Sequence, residues 1–141
     1  MDMFKDITKI IPHRNPMIMI DCYEKIDKNR ACAEKTFLPG DYGNHKGTVL
    51  ESVLIECVAQ TVAAHFGYNE MIENTQNKMF GMLVSVDGFI FFHRLSEHTK
   101  IKIKINKKDQ VGDFNIYESR ITSREKLIAE GEIKVFKSHE E

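Results

Sequence analysis

The chain has 141 residues, 42% of them apolar and 29% charged, with a formal net charge of −1. That is the make-up of one ordinary globular domain, read here as a single domain over residues 1–141, and its balanced charge excludes nucleic acid as an expected partner. Cys22, Cys32 and Cys57 are odd in number and widely spaced, which argues for reduced thiols and against a disulfide framework or a metal site.

In chain order, residues 1–11 are mildly amphipathic and predict a helical turn or two before Pro12. Pro12 and Pro16 then bracket a stiff turn in IPHRNPMIMID. Residues 17–27 read as a strand, and 31–38 as its hairpin partner across Lys28-Asn29-Arg30. PGDYGNHKG, residues 39–47, reads as a loop that feeds into the element around which the rest is organised.

That element is TVLESVLIECVAQTVAAHFG, from Thr48 to Gly67. Leu50, Val53, Leu54, Cys57, Val58, Thr61 and Ala64 recur at helical spacing, and Ile55, Ala59, Val62, Ala63 and Phe66 make the other side apolar too. A helix apolar nearly all round belongs inside a protein. Thr48 and Glu51 have the spacing of a capping box, and Gly67 that of a helix stop. Ser52, Glu56 and Gln60 form one narrow polar stripe on this helix. A carboxylate there must be paired or stay protonated, and a Glu kept neutral can serve as a general acid.

After Gly67 the chain turns polar through Asn69, Glu70, Asn74, Gln76 and Asn77 and reads as a loop. Residues 80–92 predict a long apolar strand. Residues 99–108 alternate Lys and Ile, a strand with one face in water. In residues 113–122 the apolar positions shift from even to odd, which predicts a bulge. Residues 126–136 alternate again, and a polar tail follows. No apolar run reaches the length of a bilayer crossing, and Asp2, Lys5 and Asp6 do not make a secretion signal, so a cytoplasmic protein is expected. Two strands, one buried helix and four strands predict an α+β domain, an antiparallel sheet wrapped around the helix. One sheet cannot cover every face of that helix, so a dimer is expected.

This order, with these residues, resembles the hotdog fold, and more narrowly the β-hydroxyacyl-acyl-carrier-protein dehydratases of fatty-acid synthesis. IPHRNPMIMID is similar to that family's Leu-Pro-His-Arg-x-Pro stretch. VLIECVAQ matches its central helix, with Glu56 on the acidic residue and Gln60 on the glutamine. SVDGFIFFHRL resembles its strand with an Asp and an aromatic pair, at Asp87 and Phe91. LIECVAQTVA and Gly81-Met82-Leu83 are closer still to the divergent dehydratase-like branch found with aryl polyene and polyketide-type clusters. The family's Gly-His-Phe-Pro-Gly loop is absent. Aligned on Gly40, GDYGNHKG puts Asp41 in the histidine's place, whereas counting back from Glu56 puts Tyr42 there, and His45 follows three or four residues later.

The resemblance implies a 3-hydroxyacyl-[acyl-carrier-protein] dehydratase, a hydro-lyase removing water to give the trans-2-enoyl thioester. It implies no cofactor beyond the phosphopantetheine of an acyl carrier protein or coenzyme A that carries the substrate. Such a reaction needs an acid, a base and donors at the thioester oxygen. The resemblance gives the acid role to Glu56, and His45, as the loop's histidine, is the candidate base. Gln60, Asp41, Tyr42, Gly47 and Thr48 are candidates for binding substrate, the last two through amides at the helix start. The alternatives are a thioesterase of the same fold, with Glu56 or Asp41 activating water, and a non-catalytic acyl-binding subunit paired with an active relative. Expected assemblies are a homodimer, a higher oligomer or a heterodimer with a related subunit. His13 matches a family histidine read as structural. His65 reads as packed, and Cys57 as a small hydrophobe. Lys100, Lys102 and Lys104 read as edge protection and solubility, or else as a docking face for an acidic carrier protein.

Overall fold

The structure, a computed structural model, describes residues 3–73 and 79–139. Asn74, Gln76 and Asn77 of the expected loop, and the end of the expected tail, lie outside them. The elements are a 3-10 turn at Ile7–Lys9, strands β1 (Cys22–Lys25), β2 (Arg30–Thr36), β3 (Asn44–His45) and β4 (Thr48–Val49), and helix α1 (Glu51–Glu73). Strands β5 (Met79–Phe91), β6 (Lys100–Val111), β7 (Phe114–Ser123) and β8 (Lys126–His139) follow. Six strands form one antiparallel sheet in the order β1-β2-β6-β7-β8-β5, and β3 and β4 make a small separate hairpin. This is the expected hotdog-like arrangement, with the long helix packed on the sheet.

The core follows the alternation in the sequence. Ile101, Ile103 and Ile105 of β6 point inward with Tyr117 and Ile121 of β7 and Ala129, Ile133 and Val135 of β8. The lysines between the isoleucines point out. Val53, Leu54, Cys57, Val58, Val62 and Phe66 of α1 meet that face. Cys57 is fully enclosed, and burial pushes its thiol far above the usual range, so it packs as a small hydrophobe. Ile7, Ile10, Ile11, Met19 and Ile20 close over a second side of the helix. Ile55, Ala59 and Ala63 remain only half-buried.

Several local expectations are corrected. The helix begins at Glu51, because Thr48 is taken into β4, opposite His45 and bridged to Ser96. No capping box forms. Gly67 does not end the helix, which runs on to Glu73. Its missing side chain instead admits another backbone, since a Cβ there would lie 1.8 Å from the Ile10 carbonyl oxygen. The strand expected over 17–27 shrinks to Cys22–Lys25, and the loop over 39–47 contains β3. The bulge expected in 113–122 lies across the ladder in β6, where Lys107 faces Tyr117 and Asp109 faces Ile116. Phe114 broke the pattern because it faces outward, against Phe136 at 5.1 Å. The lysine strand β6 lies inside the sheet between β2 and β7, so it protects no edge.

His65 ties the helix to the first hairpin. Its Nε2 faces the Lys28 carbonyl at 2.8 Å and its Nδ1 faces the Tyr23 hydroxyl at 2.7 Å. A carbonyl only accepts, so Nε2 carries the proton and Nδ1 receives the tyrosine's. Burial holds the imidazole below its usual pKa. The unfolded chain therefore takes up a proton that the folded protein refuses, and stability falls as pH drops below about 6.5. Urea unfolding at about pH 7.5 and about pH 5 should show this loss in the parent and a smaller one in His65→Gln.

Candidate functional site

Glu56 and Gln60 stand one turn apart on α1, as their spacing requires. Gln60 is 0% exposed and all its bonding capacity is directed. Its Oε1 accepts from the Met19 amide at 2.7 Å, and its Nε2 donates to the Met17 carbonyl at 2.7 Å and to Glu56 Oε1 at 3.0 Å. The irregular segment before β1 thus obtains on the helix side chain the partners it lacks in the sheet. Glu56 is held by one oxygen only and keeps 36% of its side chain exposed.

The residue beside Glu56 is His13, with Nε2 3.7 Å from Glu56 Oε1. Pro12 precedes it, and the Arg14 guanidinium donates to the carbonyls of Ile11 at 3.0 Å and His13 at 2.7 Å, which fixes the turn. His13 Nδ1 is shielded from solvent and has no hydrogen-bond partner. His13 also lines a cleft of about 170 Å3 with Ile10, Ile11, Ala63, Gly67 and Gly81. Glu56, Ala63 and Gly67 fall on one helix face, so the cleft runs along a floor of small residues away from the carboxylate. Sequence reasoning took His13 for a structural residue. The sequence carried no local signal for its pairing with Glu56, which depends on how the turn between Pro12 and Pro16 is laid across the helix.

The loop candidates lie apart from that pair. Asp41 Oδ2 accepts from the Leu38 amide at 2.8 Å and lies 3.8 Å from Lys35 Nζ. Asp41 and the exposed Tyr42 line a second cavity, of about 320 Å3, with Asn15, Pro16, Ile18 and Lys35. His45 is exposed on β3, opposite Thr48 across a tight turn in which Lys46 has φ 52° and Gly47 φ 81°. The Glu97 amide donates to the Gly47 carbonyl at 3.0 Å, and Asn44 Nδ2 donates to Glu97 Oε2 at 2.8 Å, so this hairpin is anchored. The amides of Gly47 and Thr48 precede the helix start at Glu51. Asp87 is exposed on β5 opposite Glu132, and Phe91 is half-buried against Phe89. Among the described residues no group of three or more His, Cys, Asp and Glu side chains is placed to hold a metal ion. Nor is any helix of the described residues long and apolar enough to cross a membrane.

Two surfaces complete the picture. On the outer face of the sheet, His98, Lys100, Lys102, Lys104, Arg120 and Arg124 surround a trough of about 750 Å3. At the sheet edge, β5 leaves Met82 58% and Ile90 51% exposed, with Leu83, Val84 and Val86 also in the open.

A six-stranded antiparallel sheet packed on one long helix defines a hotdog-like fold. The dehydratase heterocomplex ApeI:P from Xenorhabdus doucetiae superposes with a TM-score of 0.85 at 16% identity, over 94% of this chain and 90% of that one. Cj0977, a virulence protein of Campylobacter jejuni, gives 0.70 at 14% identity over 94% and 95%. A hypothetical thioesterase from Streptococcus pneumoniae, solved with coenzyme A, gives 0.64 at 13% identity over 82% and 85%. These likenesses establish the fold. No curated protein matches the sequence significantly. The model of the ApeP-like family, described as ApeP dehydratase, matches residues 5–141. The chain belongs to the ApeP-like dehydratase family, and its function is dehydratase-like.

Replacing Gln60 by Leu keeps the volume but leaves the Met17 carbonyl and Met19 amide unpaired, at about 1–3 kcal/mol for each buried group. Urea denaturation of Gln60→Leu should show a loss of about 2 kcal/mol or more, and a loss below about 0.5 kcal/mol would remove the clamp from the account.

Proposed function

We propose that this protein removes water from 3-hydroxyacyl thioesters in a polyketide-type synthesis, with Glu56 as the group that protonates the departing hydroxyl. The observation carrying this reading is a carboxylate that is oriented by Gln60 yet left partly open, 3.7 Å from His13, whose ring lines a cleft along a small-residue helix face. A buried, fully bonded glutamate would be structural. One with a free, partly exposed oxygen can reach a substrate. The slender cleft accepts an acyl chain, and the thioester is borne by phosphopantetheine, on a carrier protein or on coenzyme A. The cationic outer trough has the charge to receive an acidic carrier protein. Glu56→Gln keeps the shape and the Gln60 contact but removes the proton. Dehydration of 3-hydroxyacyl thioesters, followed through the absorbance of the conjugated product, should fall by about 100-fold or more with folding retained. Full turnover in that variant would return Glu56 to a structural role.

The working unit is an assembly of two hotdog subunits joined through β5. A long apolar edge strand with one unpaired side is a pairing template that a soluble protein covers. The half-buried Ile55 and Ala59 face of α1 is covered in the same step. The neighbour is a second copy when the chain is alone, and a related subunit where one is made with it, as in the ApeI:P heterocomplex. Val86→Lys with Ile90→Lys should shift sedimentation from dimer to monomer at micromolar concentration. A parent that sediments as a monomer both alone and with such a relative would defeat this reading.

A further inference from the structure

We propose that His13 is the imidazole of this reaction, so that acid and base are supplied by one chain rather than brought together across an interface. The inference rests on the dehydratase reading above and adds the residue that takes the α-proton. Three observations carry it. His13 Nε2 lies 3.7 Å from the Glu56 carboxylate, although 43 residues separate them in the chain. His13 Nδ1 has no partner although it is shielded from solvent. A buried polar atom left unpaired is rare and calls for an explanation, of which a catalytic role is one. The ring also lines the cleft on the small-residue face of α1.

The contrast within the molecule is direct. His65 has both ring nitrogens engaged, by Tyr23 and by the Lys28 carbonyl, and is fixed as a structural link. His13 has neither nitrogen engaged in a hydrogen bond, while its backbone is held by Pro12 and by Arg14. An imidazole placed firmly but left unbonded is ready to accept a proton. His45 has the opposite character: an exposed ring on a hairpin anchored through Glu97. Asp41 already accepts from the Leu38 amide and lies near Lys35.

The chemistry suits neighbours. The proton to be removed and the hydroxyl to be lost sit on adjacent carbons, so groups serving them from one side must themselves be adjacent. The neutral imidazole takes the α-proton as the Cα–H bond breaks, and that electron pair forms the Cα=Cβ bond. The Cβ–O bond breaks as the oxygen takes the proton of the Glu56 acid and leaves as water. The site is then imidazolium beside carboxylate, and a proton passed from His13 to Glu56 restores both partners. No outside reagent is consumed.

The test is dehydration of 3-hydroxyacyl pantetheine thioesters by the parent assembly and by His13→Asn, His45→Asn and Glu56→Gln. His13→Asn should lose about 100-fold or more in kcat with KM little changed, and His45→Asn should stay within about threefold of the parent. Free imidazole added to His13→Gly should restore part of the lost rate, a rescue that a structural role would not give. Loss of turnover in His45→Asn with turnover kept in His13→Asn would overturn the inference while leaving the dehydratase reading in place. A parent without turnover on any of these thioesters, or an unimpaired Glu56→Gln, would overturn that reading and this one together. If His13→Asn does not fold, diethyl pyrocarbonate labelling of the parent decides. Protection of His13 by an enoyl pantetheine thioester supports the role, and labelling of His13 unaffected by that ligand removes it.

Discussion

The side-chain amide of Gln60 joins the two parts of this protein that sequence distance keeps apart. It is wholly buried, and it serves at once the backbone of the segment before β1 and the carboxylate of Glu56. Remove it, and two backbone groups lose their partners in a place water does not reach. The same contact sets how the N-terminal segment lies on the helix, and so where the Pro12–Pro16 turn stands. Gly67 performs a related task one end further along, by letting Ile10 approach the helix closer than any side chain would allow. Together they tie the segment before β1 to the helix through contacts outside the sheet.

The polar stripe on α1 is therefore divided in labour. Gln60 is spent on architecture, with every donor and acceptor used. Glu56 receives one hydrogen bond from Gln60, faces His13, and keeps its second oxygen free of side-chain partners. The surrounding helix face is built of Ala59, Ala63 and Gly67, whose small volumes leave room that larger residues would fill. Orientation without saturation is what distinguishes the glutamate from its neighbour.

Much of this was legible in the chain. The strict Lys-Ile alternation of β6 could only be a strand with one buried face, and the apolar run from Val53 to Phe66 could only be an enclosed helix. The stripe of Glu56 and Gln60 was visible for the same reason, since helical spacing fixes which residues share a face. Local punctuation misled. Thr48 with Glu51 carries a capping signature, but pairing with His45 and the bridge to Ser96 take the threonine first. Gly67 reads as a helix stop because glycine serves both turns and close approaches, and the sequence does not say which. The uneven pattern at Phe114 came from an outward aromatic pair, not from an inserted residue. The neighbourhood of His13 and Glu56 had no local signal at all, because it depends on how a distant segment is laid across the helix.

The position of β5 bears on the order in which the subunit is made. It follows α1 in the chain, yet its one neighbour within the sheet is β8, the final strand. During synthesis β5 therefore leaves the ribosome well before the strand it pairs with, carrying an apolar surface and two unsatisfied edges. It acquires its partner only when residues 126–139 emerge. The pairing of β5 thus waits on β8: a chain cut short before Lys126 would lose the strand that both β5 and β7 pair with, and with it Ala129, Ile133 and Val135 of the core.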